Sequence, residues 1–223
     1  MPERCKHYIA KTLLHLAGGF GIAGVSSVIP LIDVVKPIIV KNSLIGLSIV
    51  VVLLVAIFLL FIFLTKMPAG TPMKYFLAVL LAFIAGQALQ PIIKGAMERH
   101  TLTKTIVLTG GVFLGMATLG YYDTMNLFGF NRYLFSGLLG LLISLVFFIV
   151  LTALNVISSS VASIFSYVLS VFGAVLFSFY IAHDIKSIKL NAIECKGTPD
   201  YINESFKLFM DVVNVFSSIS RLN

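Results

Sequence analysis

Seven stretches of about 20 mostly apolar residues take up most of this 223-residue chain, and nothing constrains its fold more strongly. An unpaired backbone N–H or C=O in hydrocarbon costs several kcal/mol, so a spanning segment must satisfy its hydrogen bonds internally. Isolated runs of this length do so as α-helices. The stretches run Tyr8–Pro30, Leu44–Leu64, Tyr75–Lys94, Lys104–Tyr122, Leu134–Val156, Val161–His183 and Pro199–Arg221. With 59% hydrophobic and 11% charged residues and a mean hydropathy of +1.04, the class is an all-α polytopic membrane protein. The connections are too short for a soluble domain of ~50 residues, so residues 1–223 are expected to form one integral membrane domain.

The first stretch follows a basic start and is read as an uncleaved helix rather than a signal peptide. With the N-terminus in the cytosol, nine basic residues fall on the cytosolic side: Arg4, Lys6, Lys11, Lys66, Lys74, Arg132, Lys186, Lys189 and Lys196. Six fall opposite: Lys36, Lys41, Lys94, Arg99, Lys104 and Arg221. The positive-inside rule thus favours a cytosolic N-terminus by a small margin. Whether the last segment crosses fully or dips in and returns stays open. In that topology Cys5 and Cys195 face the cytosol, where thiols stay reduced, and the sequon Asn203-Glu204-Ser205 carries no glycan. The net charge of +7 is dispersed over short loops, the pattern of anchors at an anionic membrane surface and not of a nucleic-acid site.

Packing signals are general. Gly111 and Gly115 form a small-xxx-small pair suited to close helix approach, as do Gly137 and Gly140 less regularly. Pro91 follows Gln87 and Gln90 in the third stretch and frees a backbone carbonyl. The two glutamines are candidates for a polar path.

Acid is scarce, with nine Asp and Glu in all, and none lies in the first five apolar stretches. An Asp in a span costs roughly 2.5–3.5 kcal/mol on insertion scales and usually faces a bundle interior or polar cavity. Asp184 closes the sixth stretch and Asp211 sits in the last. There Thr198, Pro199 and Asp200 read as a helix start, which puts Asp211 ~18 Å along the helix. Glu204, Lys207 and Asp211 share one helix face. The two aspartates are expected to face each other and carry the function, with Lys207 as a competing ion-pair partner of Asp211. Asp184 has its own competing reading as a solvated helix-end acid beside Lys186 and Lys189.

The stretch from Tyr180 to Phe216 resembles the signature of the Bax inhibitor family, the transmembrane Bax-inhibitor-motif proteins that include the LifeGuard and Golgi anti-apoptotic proteins. The matching features are Asp184-Ile185-Lys186-Ser187-Ile188 after an aromatic-rich helix, then Asp200-Tyr201-Ile202, then Leu208-Phe209-Met210-Asp211 with Asn214 and Phe216. Weaker similarity runs through Ala82-Phe83-Ile84-Ala85-Gly86 and Pro91. The resemblance implies a seven-helix bundle with the last helix central. It also implies that Asp184 and Asp211 are the family's paired pH-sensing aspartates, gating a calcium leak in a protein that suppresses cell death. Close carboxylates in a low-dielectric site do not both ionise cheaply, and their titration belongs to the pair. Protonated, they share a hydrogen bond; deprotonated, they repel and offer hard oxygens that a passing Ca²⁺ can use.

The departures from the family pattern are specific. The connection Tyr121-Tyr122-Asp123-Thr124-Met125-Asn126 lacks the basic cluster of many relatives, with only Arg132 beyond. Lys66 stands nearest to the bacterial relatives' arginine that pairs with the sixth-helix aspartate, and lysine is the poorer bidentate partner. No basic C-terminal tail follows Arg221-Leu222-Asn223, so regulation through such a tail is not expected. His183, beside Asp184, is read as an interfacial polar residue, with a role as a proton-active group near neutral pH as the competing reading. Asn214 joins Gln87 and Gln90 as a candidate pore-lining group. Expected partners are the bilayer, Ca²⁺ as conducted ion, protons as regulators, and cell-death regulators or other membrane proteins. No cofactor is expected. The expected location is an endomembrane, endoplasmic reticulum or Golgi, with a bacterial inner membrane or plasma membrane as alternatives. Two rivals belong to other classes: a proton-coupled secondary transporter, whose paired broken helices are not visible, and a non-conducting scaffold. Catalysis is not expected, because the chain has no zinc spacing, nucleophile elbow or phosphate loop.

Overall fold

A computed structural model describes residues 5, 7–29, 43–122, 129–154, 156–195 and 198–223, with side chains of the second helix from Val55 onward. Among these residues there are seven helices and no strands: α1 Tyr8–Ser27, α2 Ser43–Lys66, α3 Pro72–Glu98, α4 Leu102–Tyr122, α5 Asn131–Ala153, α6 Ser159–Glu194 and α7 Tyr201–Leu222. Each overlaps one of the seven apolar stretches. Arg4, Lys6, Lys36, Lys41, Lys196 and Asp123 to Asn126 lie outside the described residues.

Among the described residues, five helices are long and apolar enough to cross a membrane: α1, α3, α4, α5 over Asn131–Thr152, and α6. The described side chains of α2 add a shorter apolar run, Val55–Lys66. Of the five long helices, α5 has the highest mean hydropathy, 2.8, and exposes Phe135, Ile143, Val146 and Phe147. In lipid that exposure costs nothing, because acyl chains are as apolar as the side chains they meet. α7 is different. Its acids and Lys207 leave it outside the apolar set, while Ile202, Glu204, Ser205, Leu208, Phe209, Asp211 and Val215 are buried.

The contacts divide the chain into two units, each discontinuous in sequence. The first takes residues through Pro91 together with Ala192–Phe209; the second takes Ile92–Asn191 together with Met210–Asn223. α3 runs through Pro91 without interruption, and α7 contributes to both units.

In the first unit α7 packs through aromatic rings: Tyr201 against Tyr8 at 5.2 Å, Phe206 against Phe61 at 6.0 Å and Phe209 against Phe20 at 5.2 Å. α1 and α3 meet backbone to backbone at Gly86, where a Cβ would overlap Ser26 Oγ and the Ala23 carbonyl. The Ser26 hydroxyl donates across that contact to the Phe83 carbonyl at 2.9 Å, the interhelical hydrogen bond that small polar residues supply in membranes. In the second unit Leu134 and Leu141 of α5 pack with Leu176 of α6, while Gly120 of α4 approaches Ala182 of α6.

Two expectations change. Gly111 and Gly115 meet nothing within 4 Å, so the small-xxx-small pair is not a helix contact; Gly137 packs on Leu176 while Gly140 meets nothing, and the backbone approaches fall at Gly86 and Gly120. Cys5 and Cys195 are not free thiols but a disulfide, Cα to Cα 6.0 Å, across 190 residues of sequence. Spacing that long hides the pairing from a sequence reading, which has only the distribution of basic residues to place each cysteine.

Gly86→Ala should lower the thermal unfolding midpoint in detergent, at a cost of about 1–3 kcal/mol for overpacking. Gly18→Ala, which enters open space, should leave it unchanged or raise it.

Candidate functional site

α6 is 36 residues long, ~54 Å at 1.5 Å per residue, well beyond the ~30 Å of hydrocarbon. The helix does not stop near Asp184, as the apolar pattern suggests, but continues through Lys186 and Lys189 to Glu194. Asp184 therefore stands ten residues before the end of α6, and Asp211 stands ten residues after the start of α7 at Tyr201. The two helices run antiparallel, since a short connection joins Glu194 to Tyr201 while Gly173, far back on α6, meets Ser218, far along α7. Both carboxylates thus lie at one level to within about a helical turn.

Both are buried, each 8% exposed. Tyr180 stands one turn before Asp184 on the same helix face. In the sequence Tyr180 stands only at the edge of a motif; its i, i+4 spacing to Asp184 is the signal that marks it. His183 Nδ1 lies 3.2 Å from Asp184 Oδ1, so a proton on that nitrogen makes a hydrogen bond to the carboxylate. His183 and Asp184 are thus in contact on α6, and Asp211 lies at about the same level of α7.

The end of α7 in this unit is fixed by polar contacts to its carbonyls and terminal amide. Arg99 donates to the Ser220 carbonyl at 3.3 Å, and the Asn223 amide donates to Thr105 Oγ1 at 3.4 Å. Lys189 donates to the Tyr121 carbonyl at 2.6 Å with its ammonium 4.7 Å from the Tyr121 ring centre, joining the extended end of α6 to the end of α4. Asn214 is half-buried one turn beyond Asp211.

The other candidates lie in the first unit. Lys207 and Lys66 are exposed. Gln87 donates to the carbonyls of Ser26 and, at 3.1 Å, Ile29, so it closes the end of α1; Gln90 is half-buried beside it on α3. Lys74, expected as a surface anchor, is fully buried instead. It pairs with Asp200 at 2.5 Å and donates to the Met67 carbonyl at 3.0 Å. Asp200 also caps α7, its Oδ1 accepting the Asn203 N–H at 3.2 Å. Thr198 and Pro199 stay outside the helix, so the cap falls two residues later than the Pro-at-first-turn pattern indicates. Asn203, the sequon residue, spends its amide on the Thr65 carbonyl at 3.2 Å.

A helical membrane protein with several spanning helices and a buried aspartate on each of its last two helices is the class these observations define. The chain belongs to the Bax inhibitor family: residues 5–222 match the family described as "Inhibitor of apoptosis-promoting Bax1". It is also 26% identical over 192 residues, 84% of this chain and 78% of the relative, to a Borreliella burgdorferi protein described as uncharacterized. Members of the family are multi-pass membrane proteins tied to cell-death suppression and calcium, and the family is not known as enzymatic.

Lys74→Met should destabilise the protein by about 1–3 kcal/mol, because Asp200 keeps its charge and loses its partner while remaining only partly hydrated. Lys66→Met, at an exposed position, should stay within about 0.5 kcal/mol. Thermal unfolding in detergent compares the two.

Proposed function

We propose that the protein is a proton-controlled calcium leak, with Asp184 and Asp211 as sensor and gate. The observation that carries the reading is that two buried carboxylates lie at about one level of an antiparallel helix pair. Like charges held close in a poorly hydrated site favour the state in which they share a proton. In that state a carboxyl–carboxylate hydrogen bond latches α6 to α7. Loss of the proton leaves two anions that repel, and a divalent cation offsets their charge. Ca²⁺ takes six to eight oxygen ligands. In this reading the two carboxylates serve as a stop for an ion in transit. Tyr180 and His183 give the departing proton its first acceptors or donors.

The leak would act on an endomembrane store in a eukaryotic host, lowering the calcium available to drive cell death, or on the inner membrane in a bacterial one. Cell-death regulators or other membrane proteins are the protein partners this role calls for.

Calcium flux into proteoliposomes should rise from pH 6 to pH 8 in the wild type. Asp184→Asn and Asp211→Asn should each flatten that profile, and Tyr180→Phe should displace its midpoint while keeping flux. Lys207→Met should leave the profile in place, since its side chain is exposed. Retention of the full pH response in both aspartate variants would sink the mechanism.

A further inference from the structure

The Cys5–Cys195 disulfide plays no part in the proton-controlled pair. It joins the residue three before α1 to the first residue after α6. Both half-cystines are buried, Cys5 at 1% and Cys195 at 5% exposure. The bond sits at the head of α7 among other restraints of the same unit. Lys74 pairs with Asp200, Tyr8 packs on Tyr201, and the Lys11 ammonium lies 5.4 Å from the Tyr201 ring centre. Cys195 also adopts φ 45°, the left-handed conformation that closes a helix and that glycine ordinarily supplies. A cysteine in that place gives up backbone freedom, and the bond to Cys5 holds it there.

We propose that Cys5–Cys195 is a redox site: oxidised, it straps the connector at the head of α7 to the turn before α1, and a dithiol reductant releases the strap. The thiolate of the dithiol attacks one sulfur, forming a mixed disulfide and expelling the other sulfur as a thiolate. The second thiol of the reductant then displaces the remaining cysteine. Two electrons and two protons pass to Cys5 and Cys195, and the reductant leaves as its own disulfide. Because both sulfurs are buried, attack waits on local opening of the turn, so the rate levels off as reductant concentration rises. A strap that stays closed requires its face of the membrane to meet an oxidising compartment. That is the opposite of the cytosolic placement favoured by the distribution of basic residues.

Reduction leaves Lys74–Asp200 and the Asp200 cap intact but removes the covalent tie, so the first turn of α7 opens more often. The amides that report this are Asn203, held by the Asp200 side chain, and Glu204, held by the Asp200 carbonyl at 3.3 Å. Calcium flux enters neither readout, so this inference stands or falls apart from the leak.

The test uses the full-length protein in detergent. Thiols are counted by maleimide mass shift after non-reducing denaturation. Hydrogen exchange is followed in peptides covering residues 198–206, before dithiothreitol, after it, and after reoxidation with oxidised glutathione. The expected result is no reactive thiol in the oxidised protein and at least tenfold faster exchange at Asn203 and Glu204 on reduction, reversed on reoxidation. Peptides from α5 should not change. Cys5→Ser and Cys195→Ser should exchange fast with or without the dithiol. Two free thiols in the air-purified protein would overturn the proposal. So would unchanged exchange with both thiols labelled, or an equal rise in α5, which would make the bond a prop of the whole fold. The wild-type cycle of reduction and reoxidation does not depend on either variant folding.

Discussion

The polar face of α7 cannot meet lipid, and much of the packing answers to that. Hydrophobic burial gives little net drive between helices already in hydrocarbon, whereas an uncovered carboxylate there is costly. Every acid of α7 and its cap is therefore given a place. Asp200 caps the helix and receives a buried lysine, and Glu204 and Asp211 are buried. Within the first unit the early half of the helix is covered by α1 and α2 through aromatic pairs; within the second its later half meets α4, α6 and the end of α3. α5, the most apolar of the five long spanning helices, is left to face the bilayer, which asks nothing polar of it.

Helix number and position were legible because a 20-residue apolar run has one reasonable solution in a bilayer. The buried aspartates were legible for the same reason, since a carboxylate in such a run is tolerated only where protein or a polar cavity covers it. The end of α6 was not. Asp184 to Glu194 mixes charged and aliphatic residues, and hydropathy reads that mixture as a membrane boundary when the helix only leaves the hydrocarbon. Glycine contacts also escaped the sequence, because any glycine permits close approach and only the facing surface decides which one is used. Gly86 and Gly120 meet a neighbouring backbone while Gly111 and Gly115 do not. Lys74 misled for a related reason: a lysine beside a span is normally a snorkelling anchor, and only the arrival of Asp200 from 126 residues away turns it into a buried ion pair.

The continuation of α6 past Asp184 changes what a gate made of these aspartates must do. An acid at a fraying helix end is free to swing toward or away from a partner at little cost. An acid ten residues inside a continuous helix is not, because its backbone is held by hydrogen bonds on both sides. Changing the distance between Asp184 and Asp211 then requires a rotamer change within a tight space or a displacement of one helix along the other. Gly173 leaves 3.0 Å between a would-be Cβ and Ser218 Oγ, a contact of small groups across which α6 and α7 can slide. The contacts at the end of α7, by contrast, reach Ser220 and Asn223 from Arg99 and Thr105 and resist translation along the axis. Motion of α7 in the proposed gate is therefore resisted most at its end.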